Sequence, residues 1–326
     1  MRPFSYGFER AERGAICAVI LILVFLTASP IAGQSTADNK EGTSQFSLHG
    51  RLSGSYGDLG AITKLETAVS YDWNDHFGVT AGLPFYFVSP STALADSGIR
   101  ARNGIGNAFL DLRFSAYDPA LNFASTLTVT APTGDRNSGF STGRPTFDWN
   151  NLFFRSFSQF TPYINLGIAN TISDTPFFVR PFSTLGVVGH VEAGTQYALW
   201  RSLGLGASVY AILPSGEQKV FSRLVRDERP GPPASTPGAA RANQRRVFET
   251  APVTTGDAEI ARDRGFSTWV SLRPASSVNL SAGYSRSTFF ALDSFFFSLG
   301  VELRSVFRKP GQRTASISDA FGYRRF

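Results

Sequence analysis

The sequence predicts an all-β protein, a transmembrane antiparallel up-and-down β-barrel of about 12 strands with short periplasmic turns and long outer loops. Three observations favour this fold. Apolar and polar residues alternate with a period of two in repeated segments, the chain is 17% charged and 13% aromatic, and long and short connections alternate. A surface that alternates between lipid and water also accounts for a mean hydropathy of -0.06, which is too low for a helical membrane protein.

Residues 1–33 have the organisation of a signal peptide, which predicts export to the outer membrane. Basic residues such as Arg10 and Arg13 precede an apolar segment at 15–26, and small residues surround the expected cleavage site. This apolar segment is shorter than the ~20 residues of a membrane-spanning helix. Because the single cysteine, Cys17, lies in it, the exported chain is expected to have no disulfide and no cysteine metal site.

The barrel is predicted over residues 44–307, after an N-terminal periplasmic segment at 34–43. Its last segment, 295–307, is apolar at one set of alternate positions except Ser305, and small or charged at the other except Phe296 and Val306 at its ends. It exceeds the ~9–11 tilted residues that cross a bilayer, and the alternative is an edge strand of a soluble sandwich. The earlier strands are predicted near 46–56, 65–73, 77–87, 108–114, 123–129, 147–157, 163–170, 183–193, 203–209, 266–272 and 278–284.

The lengths of the connections support the barrel independently. Counted from the first strand, the even connections are all short, and the odd ones include every long segment, among them 132–144 and 213–262. Outer-membrane barrels combine short periplasmic turns, long outer loops and an even strand count, whereas a soluble sandwich has no reason to sort its loops. The 213–262 segment is rich in Pro, Ala and Arg and is predicted to be a disordered outer loop. Residues 308–326 are predicted to be a periplasmic tail.

Three short motifs lie at the ends of predicted strands. Gly104-Ile105-Gly106-Asn107 opens the fourth strand, Pro132-Thr133-Gly134-Asp135 follows the fifth, and Leu213-Pro214-Ser215-Gly216 precedes the longest loop. With these motifs the chain resembles the outer-membrane proteins associated with bacterial phenol meta-degradation pathways, although Asn107 stands where that family typically has Asp. The resemblance implies a barrel that passes hydrophobic or aromatic molecules.

Charged residues on the polar positions of the strands are the candidates for lining the lumen. They carry both signs, so they either neutralise one another and fill a narrow barrel or line a wet path with little ion selectivity. The candidates are Arg51, Lys64, Glu66, Asp111, Arg113, Asp148, His190, Glu192, Glu302 and Arg304.

A barrel-embedded lipid hydrolase is a less favoured alternative. It needs a serine nucleophile and a histidine base that face the lipid. His49 and His190 are predicted to point inward, and His76 lies at a periplasmic turn. His190 and Glu192 could form a metal pair, but the sequence offers no third ligand. The sequence therefore predicts no catalytic site, no metal and no cofactor.

The sequence thus predicts a channel or transporter-like barrel for passive passage of small hydrophobic or aromatic molecules, with the loops at 132–144 and 213–262 gating its mouth. A structural or adhesive barrel with a plugged lumen is the alternative. The expected partners are outer-membrane lipid and lipopolysaccharide, a small hydrophobic solute and the barrel-assembly machinery. A net charge of +6 without a basic stripe predicts no binding to nucleic acid.

Overall fold

The computed structural model covers most of the predicted barrel region of the 326-residue chain. The described residues are 45–96, 100–175, 177–224, 246–249, 251–275 and 277–302. The predicted signal peptide (1–33), N-terminal segment (34–43) and C-terminal tail (308–326) lie outside these residues, as does Arg304.

The described chain forms sixteen strands, of which twelve close into one antiparallel barrel, so the predicted fold class is confirmed. The strands are β1 (Gln45–Gly57), β2 (Gly60–Asp72), β3 (Phe77–Pro90), β4 (Arg102–Ile105), β5 (Ala108–Ala116), β6 (Asn122–Ala131), β7 (Thr146–Phe154), β8 (Phe160–Ala169), β9 (Phe182–Leu185), β10 (Val188–Ala198), β11 (Leu203–Pro214), β12 (Gln218–Ser222), β13 (Val253–Gly256), β14 (Asp263–Ala275), β15 (Val278–Ser287) and β16 (Leu292–Glu302).

The barrel closes because its first and last strands pair. β1 lies antiparallel between β16 and β2, with His49 opposite Glu302 and Tyr56 opposite Phe295. The pairing of β2 with β3 completes the ring. Closure leaves no exposed sheet edge with unpaired backbone groups, which a strand crossing lipid could not tolerate. β4 extends the ring beside β3, and β9, β12 and β13 form a separate three-stranded sheet.

The outward side chains form an apolar belt between two rims of aromatic residues. Phe46 and Tyr56, both exposed, lie ten residues apart on β1, ~33 Å along the strand at ~3.3 Å per residue. Contacting outward rings are Phe77–Phe114, Phe114–Phe123 and Phe123–Phe153 at the end with the short turns, and Phe266–Tyr284 and Tyr284–Phe295 at the other end. At the usual tilt the belt is about 25 Å tall, the height of a lipid-facing band.

Two predicted elements need correction. The eighth strand was expected at 183–193, but this region contains two strands, β9 and β10, separated at Gly186. Gly186 has φ +153, and a Cβ there would lie 2.2 Å from the Gln218 side chain, so the chain turns away from the barrel wall at this glycine. The last barrel strand begins at Leu292 rather than Phe295, and its predicted end at Phe307 lies outside the described residues.

The prediction of disorder over 213–262 is wrong for the described parts of that segment. β11 continues to Pro214, β12 and β13 pair with each other, and short helices cover Arg246–Glu249 and Ala258–Ala261. The reason is tertiary burial, because Phe221, Leu224 and Phe248 are almost inaccessible to solvent. Residues 225–245 lie outside the described chain. No helix of the described residues, including the short one at Thr92–Asp96, is long and apolar enough to cross a membrane.

Candidate functional site

The inner wall of the barrel is rich in hydroxyl groups on β14, β15, β16 and β1. Cross-strand partners in this wall include Ser267 with Ser285, Ser271 with Ser281, and Ser298 with both Ser281 and Ser53. Inward side chains can fill the interior of a barrel of ~8 strands, but a twelve-stranded barrel is wider. Small polar side chains on its inner wall therefore leave space in the lumen. This wall borders a cavity of about 360 Å³.

Several predicted lumen residues surround the cavities. Arg51, Glu66 and Glu302 line the 360 Å³ cavity, near the turns that join β7 to β8 and β10 to β11. Lys64 lies 3.7 Å from Glu66, and both border a second cavity of about 120 Å³. Asp111 is buried and accepts a 2.8 Å hydrogen bond from Thr128. These contacts bring opposite charges and hydroxyl groups together, and a role in lining a transport path stays a prediction for each residue.

The remaining described candidates also have polar partners. Arg113 donates to Asp72 at 2.5 Å close to the short-turn end. Glu192 accepts from the Tyr163 hydroxyl at 2.6 Å. The Nε2 atom of His190 lies 3.0 Å from the Asp148 carboxylate. Asn150 and Ser173 also hydrogen-bond to this carboxylate. The structure thus groups the candidates into small polar networks rather than one ring of charges.

Asp148 connects the wall to a loop that enters the lumen. Its Oδ2 accepts a 3.1 Å hydrogen bond from Ser173, which belongs to the described residues 170–175 and 177–187, together called the inserted loop below. Further along this loop, the Val179 amide donates to Ser55 on β1 at 2.7 Å. β1 lies six positions around the ring from β8, where the loop begins, so the inserted loop crosses the lumen from one wall to the opposite wall.

Phe177 lies in the part of the inserted loop that crosses the lumen. Its ring stacks on Trp269 of β14, with centroids 4.2 Å apart and 21° between the ring planes, and lies 5.2 Å from Phe296 of β16. Phe177 lines both the 360 Å³ cavity and a smaller cavity of about 50 Å³. It therefore lies between the space near the short turns and the space further along the lumen.

Two buried ion pairs hold the inserted loop. Arg180 donates to Asp263 at 2.8 Å, and Asp263 also accepts from Ser287 at 2.6 Å and Tyr210 at 3.2 Å. The second pair joins Asp174 to Arg223, which follows β12. A buried pair with additional hydrogen bonds fixes geometry, because removal of one partner leaves a charge without compensation.

The Asp174 carboxylate of the inserted loop accepts hydrogen bonds from three residues. It accepts from Arg223 Nη1 at 3.0 and 3.1 Å, from the Tyr86 hydroxyl at 2.7 Å and from the Arg180 amide at 2.9 Å. Burial alone raises the pKa of Asp174, but the charges of Arg223 and Lys64 and the hydrogen bonds from Arg223 and the Arg180 amide lower it from 3.8 to about 2. Asp174 is therefore ionised at neutral pH.

The end of the lumen with the long loops is closed by an apolar cluster, called the apolar plug below. Its centre is Phe182, Phe248 and Phe290, whose ring centroids lie 4.9 to 5.5 Å apart and which are at most 1% exposed. Inward side chains of the strands, including Val88 and Ile212, pack against this centre. The plug therefore joins the barrel wall to the loops over it.

Two of the sequence motifs meet in the structure. The Thr133 hydroxyl donates to the Gly106 carbonyl at 3.0 Å and accepts from the Ala108 amide at 2.8 Å. A Cβ at Gly106 would lie 2.6 Å from the Tyr86 ring, and a Cβ at Gly104 would lie 2.8 Å from the Phe140 ring. Tyr86 and Phe140 stack with 5° between their planes. The motif glycines thus make room for a ring stack that borders the 120 Å³ cavity.

His49 and His76, the two histidines other than His190, both lie in polar contacts. His49 lies 2.8 Å from the buried Ser47 on the inner side of β1, and His76 lies 2.7 Å from the Ser115 carbonyl at a short turn. Neither arrangement places a serine and a base toward lipid. Among the described residues, no group of three or more His, Cys, Asp or Glu side chains could hold a metal ion.

Sequence reasoning missed the residues that hold the inserted loop. Asp174, Arg180 and Arg223 lie in segments predicted as connections, and Asp263 was placed outside the tenth strand. Phe177 was not distinguished from the many other phenylalanines. A usable signal was present at Asp174 and Arg180, since two opposite charges flank three consecutive apolar residues in an otherwise polar connection.

Comparison with known proteins gives similarity of architecture at low sequence identity. No family profile and no curated protein matches the sequence. An outer-membrane channel from Pseudomonas putida F1 is 12% identical over 84% of this chain and 99% of that chain, with a TM-score of 0.47. The NanC porin is 7% identical over 78% and 98%, with a TM-score of 0.43. The translocator domain of the autotransporter NalP from Neisseria meningitidis is 10% identical over 90% and 96%, with a TM-score of 0.38.

Proposed function

We propose that the protein is an outer-membrane channel for passive passage of small hydrophobic or aromatic molecules. The observation that carries the proposal is the division of the lumen. Phe177, a residue of a loop and not of the wall, lies between a 360 Å³ cavity near the short turns and a 50 Å³ cavity further along the lumen, and lines both. A loop can move without opening the barrel, so its displacement would join these spaces.

The outer membrane is the location that fits the exterior. The apolar belt and its two aromatic rims match what a bilayer requires, and the long loops then lie on the outer side. Outer-membrane lipid and lipopolysaccharide are therefore the proposed surroundings, and the barrel-assembly machinery is the proposed route of insertion. The chemistry of the cargo follows from the sequence resemblance and from the rings of Phe177, Trp269 and Phe296 along the path.

In this mechanism, solute diffuses through the lumen without a chemical step. The loops that bear Phe140 and β12 cover the mouth, and the inserted loop forms the inner barrier. Opening requires the inserted loop to leave Trp269 while the ion pairs of Asp174 and Asp263 keep its two ends attached. Hydroxyl groups on the wall replace water around a polar substituent of the solute.

The test is conductance in planar bilayers and swelling of proteoliposomes with solutes of increasing size. Phe177→Ala is expected to raise both, because it removes the barrier without touching the wall. Phe295→Ala is the matched control, since Phe295 lies beside Phe296 but points outward and is 65% exposed. Absence of any leak, in the unmodified protein and in Phe177→Ala, would remove the channel proposal.

A structural or adhesive barrel with a permanently closed lumen is the second candidate. The apolar plug favours it, because Phe182, Phe248 and Phe290 fill the mouth as a protein core does. This candidate predicts no leak in the unmodified protein and none after Phe177→Ala. The same two measurements therefore separate the two candidates.

A further inference from the structure

Trp269 and Phe296 interrupt the polar inner wall. Among the described inward positions of β14, β15 and β16, they are the only aromatic residues, and their neighbours along the strands are Ser267, Ser271, Ser294 and Ser298. Both rings are at most 4% exposed. In a wall that otherwise carries small polar side chains, two inward rings create a local apolar surface, called the aromatic slot below.

The backbone beside the aromatic slot is adapted to the rings. A Cβ at Gly206 would lie 2.1 Å from the Trp269 ring, and a Cβ at Gly283 would lie 2.7 Å from the Phe296 ring. Each ring therefore lies flat over a glycine of the neighbouring strand. This arrangement fixes the ring positions and leaves their inner faces directed at the lumen, where Phe177 now packs.

Phe177 fills the aromatic slot in the way a ligand would. Its ring is nearly parallel to Trp269 at 4.2 Å and tilted by 55° to Phe296 at 5.2 Å. It is supplied by the inserted loop, whose attachment points at Asp174 and Arg180 flank it in sequence. The side chain can thus leave while both ends of the loop stay bound.

Hydroxyl groups lie on both sides of the aromatic slot. Ser267 and Ser285 hydrogen-bond to each other at 2.9 Å and line the 50 Å³ cavity, whereas Ser271 and Ser298 line the 360 Å³ cavity.

We infer that the aromatic slot is a binding site for a planar monocyclic aromatic molecule with a hydroxyl-type substituent, and that Phe177 occupies this site in the absence of solute. The ring of the solute takes the place of the Phe177 ring between Trp269 and Phe296, and its substituent reaches the serine hydroxyls. The inference deepens the proposed channel, from which it takes the route of access, and it makes Phe177 an intramolecular competitor of the solute.

Calorimetric titration of the full-length protein in detergent micelles tests this site. Benzyl alcohol and cyclohexylmethanol have the same non-hydrogen atoms and the same hydroxyl, but only the first is planar. Benzyl alcohol is expected to bind more tightly, and Phe177→Ala is expected to increase its affinity by about tenfold because a stacked competitor is removed. Trp269→Leu is expected to abolish the preference, and Phe295→Ala is expected to leave it unchanged.

Equal affinity for the two alcohols in Phe177→Ala would overturn the inference, as would weaker binding of benzyl alcohol to this variant than to the unmodified protein. If Phe177→Ala does not fold, Phe177→Leu and the comparison of the two alcohols in the unmodified protein decide the question. The result is independent of transport. Leak without a preference for benzyl alcohol would refute the site alone, and preference without leak would refute the channel alone.

Discussion

The two ends of the lumen differ in what occupies the interior of the barrel. Near the short turns, inward serines and paired charges leave a cavity of 360 Å³. Near the long loops, the corresponding space is filled by Phe182, Phe248 and Phe290, none of which belongs to a barrel strand. The wall itself also changes, because inward strand residues near the long loops, such as Val88 and Ile212, are apolar, and the loops add the three phenylalanines.

This difference shows that strands and loops contribute differently to the two ends. At the short-turn end, strand side chains supply a polar surface that the cavity borders. At the long-loop end, apolar strand side chains and the loop phenylalanines together form the apolar plug. The inserted loop belongs to both regions, because Phe178 and Val179 pack in the apolar plug while Phe177 reaches the 360 Å³ cavity. Movement of this one loop would therefore couple the two ends.

The largest effect is expected when the buried ion pair between Arg180 and Asp263 is broken. Asp263→Ala leaves Arg180, which is 2% exposed, as a buried charge without its carboxylate. We expect a loss of about 3–5 kcal/mol in the free energy of unfolding, measured by urea titration, together with a higher conductance.

Glu259→Ala is the matched control for Asp263→Ala. Glu259 also binds an arginine, Arg262, at 2.8 Å, but that pair is about half exposed and is expected to contribute about 0–1 kcal/mol. Equal losses in the two variants would show that the inserted loop is not held by the buried pair.

A smaller effect is expected at the contact between the loop after β6 and β12. Gly139 has φ +70, and a Cβ there would lie 2.2 Å from the Ser222 carbonyl oxygen. Gly139→Ala therefore adds a clash to the cost of a left-handed conformation, together about 2–3 kcal/mol. Gly216→Ala is the control, because Gly216 has φ +69 but no atom within 4 Å of the added Cβ, so about 1–2 kcal/mol is expected. Equal unfolding free energies for the two variants would contradict the packing at β12.

The barrel could be predicted from the sequence because each strand carries its own pattern. In β16, the alternation of Phe295 and Phe297 with Ser294 and Ser298 reports directly which face meets lipid. The short turns add the order of the strands, since neighbouring strands in sequence pair in space. Both signals are local, so no knowledge of distant contacts is needed.

The closed end of the lumen could not be predicted in this way. Phe248 has few large apolar neighbours in sequence, and its burial depends on Phe182 and Phe290, which are 66 and 42 residues away. The segment around it is rich in Pro and Arg, so composition alone indicates disorder. Pairing of Arg180 with Asp263 is likewise a contact over 83 residues that no local pattern reports.

Acid is expected to weaken the ion pair between Asp174 and Arg223, which holds the inserted loop. The pKa of Asp174 lies at about 2 in the folded protein, below its ordinary 3.8, so its pairing with Arg223 stabilises fully above that ordinary value and is lost as the pH falls through about 2. The shift corresponds to about 2 kcal/mol. Unfolding free energy measured from pH 7 to pH 2 should show this loss only below about pH 4, and Asp174→Asn should lack it. A loss between pH 7 and pH 5 that Asp174→Asn removes would contradict this assignment.

The smallest effect is expected for the ion selectivity of the cavity near the short turns. The 360 Å³ cavity is bordered by three arginines and two glutamates, so the two signs nearly offset each other near the path: Arg51, Arg201, Arg273, Glu66 and Glu302. The reversal potential in a potassium chloride gradient is therefore expected to lie close to zero. Arg273→Gln should move it toward cation preference, because the substitution removes one of the three basic groups around the cavity and leaves both glutamates. A strong selectivity in the unmodified protein would show instead that the narrowest charged region lies at the long-loop end, beside the buried ion pairs.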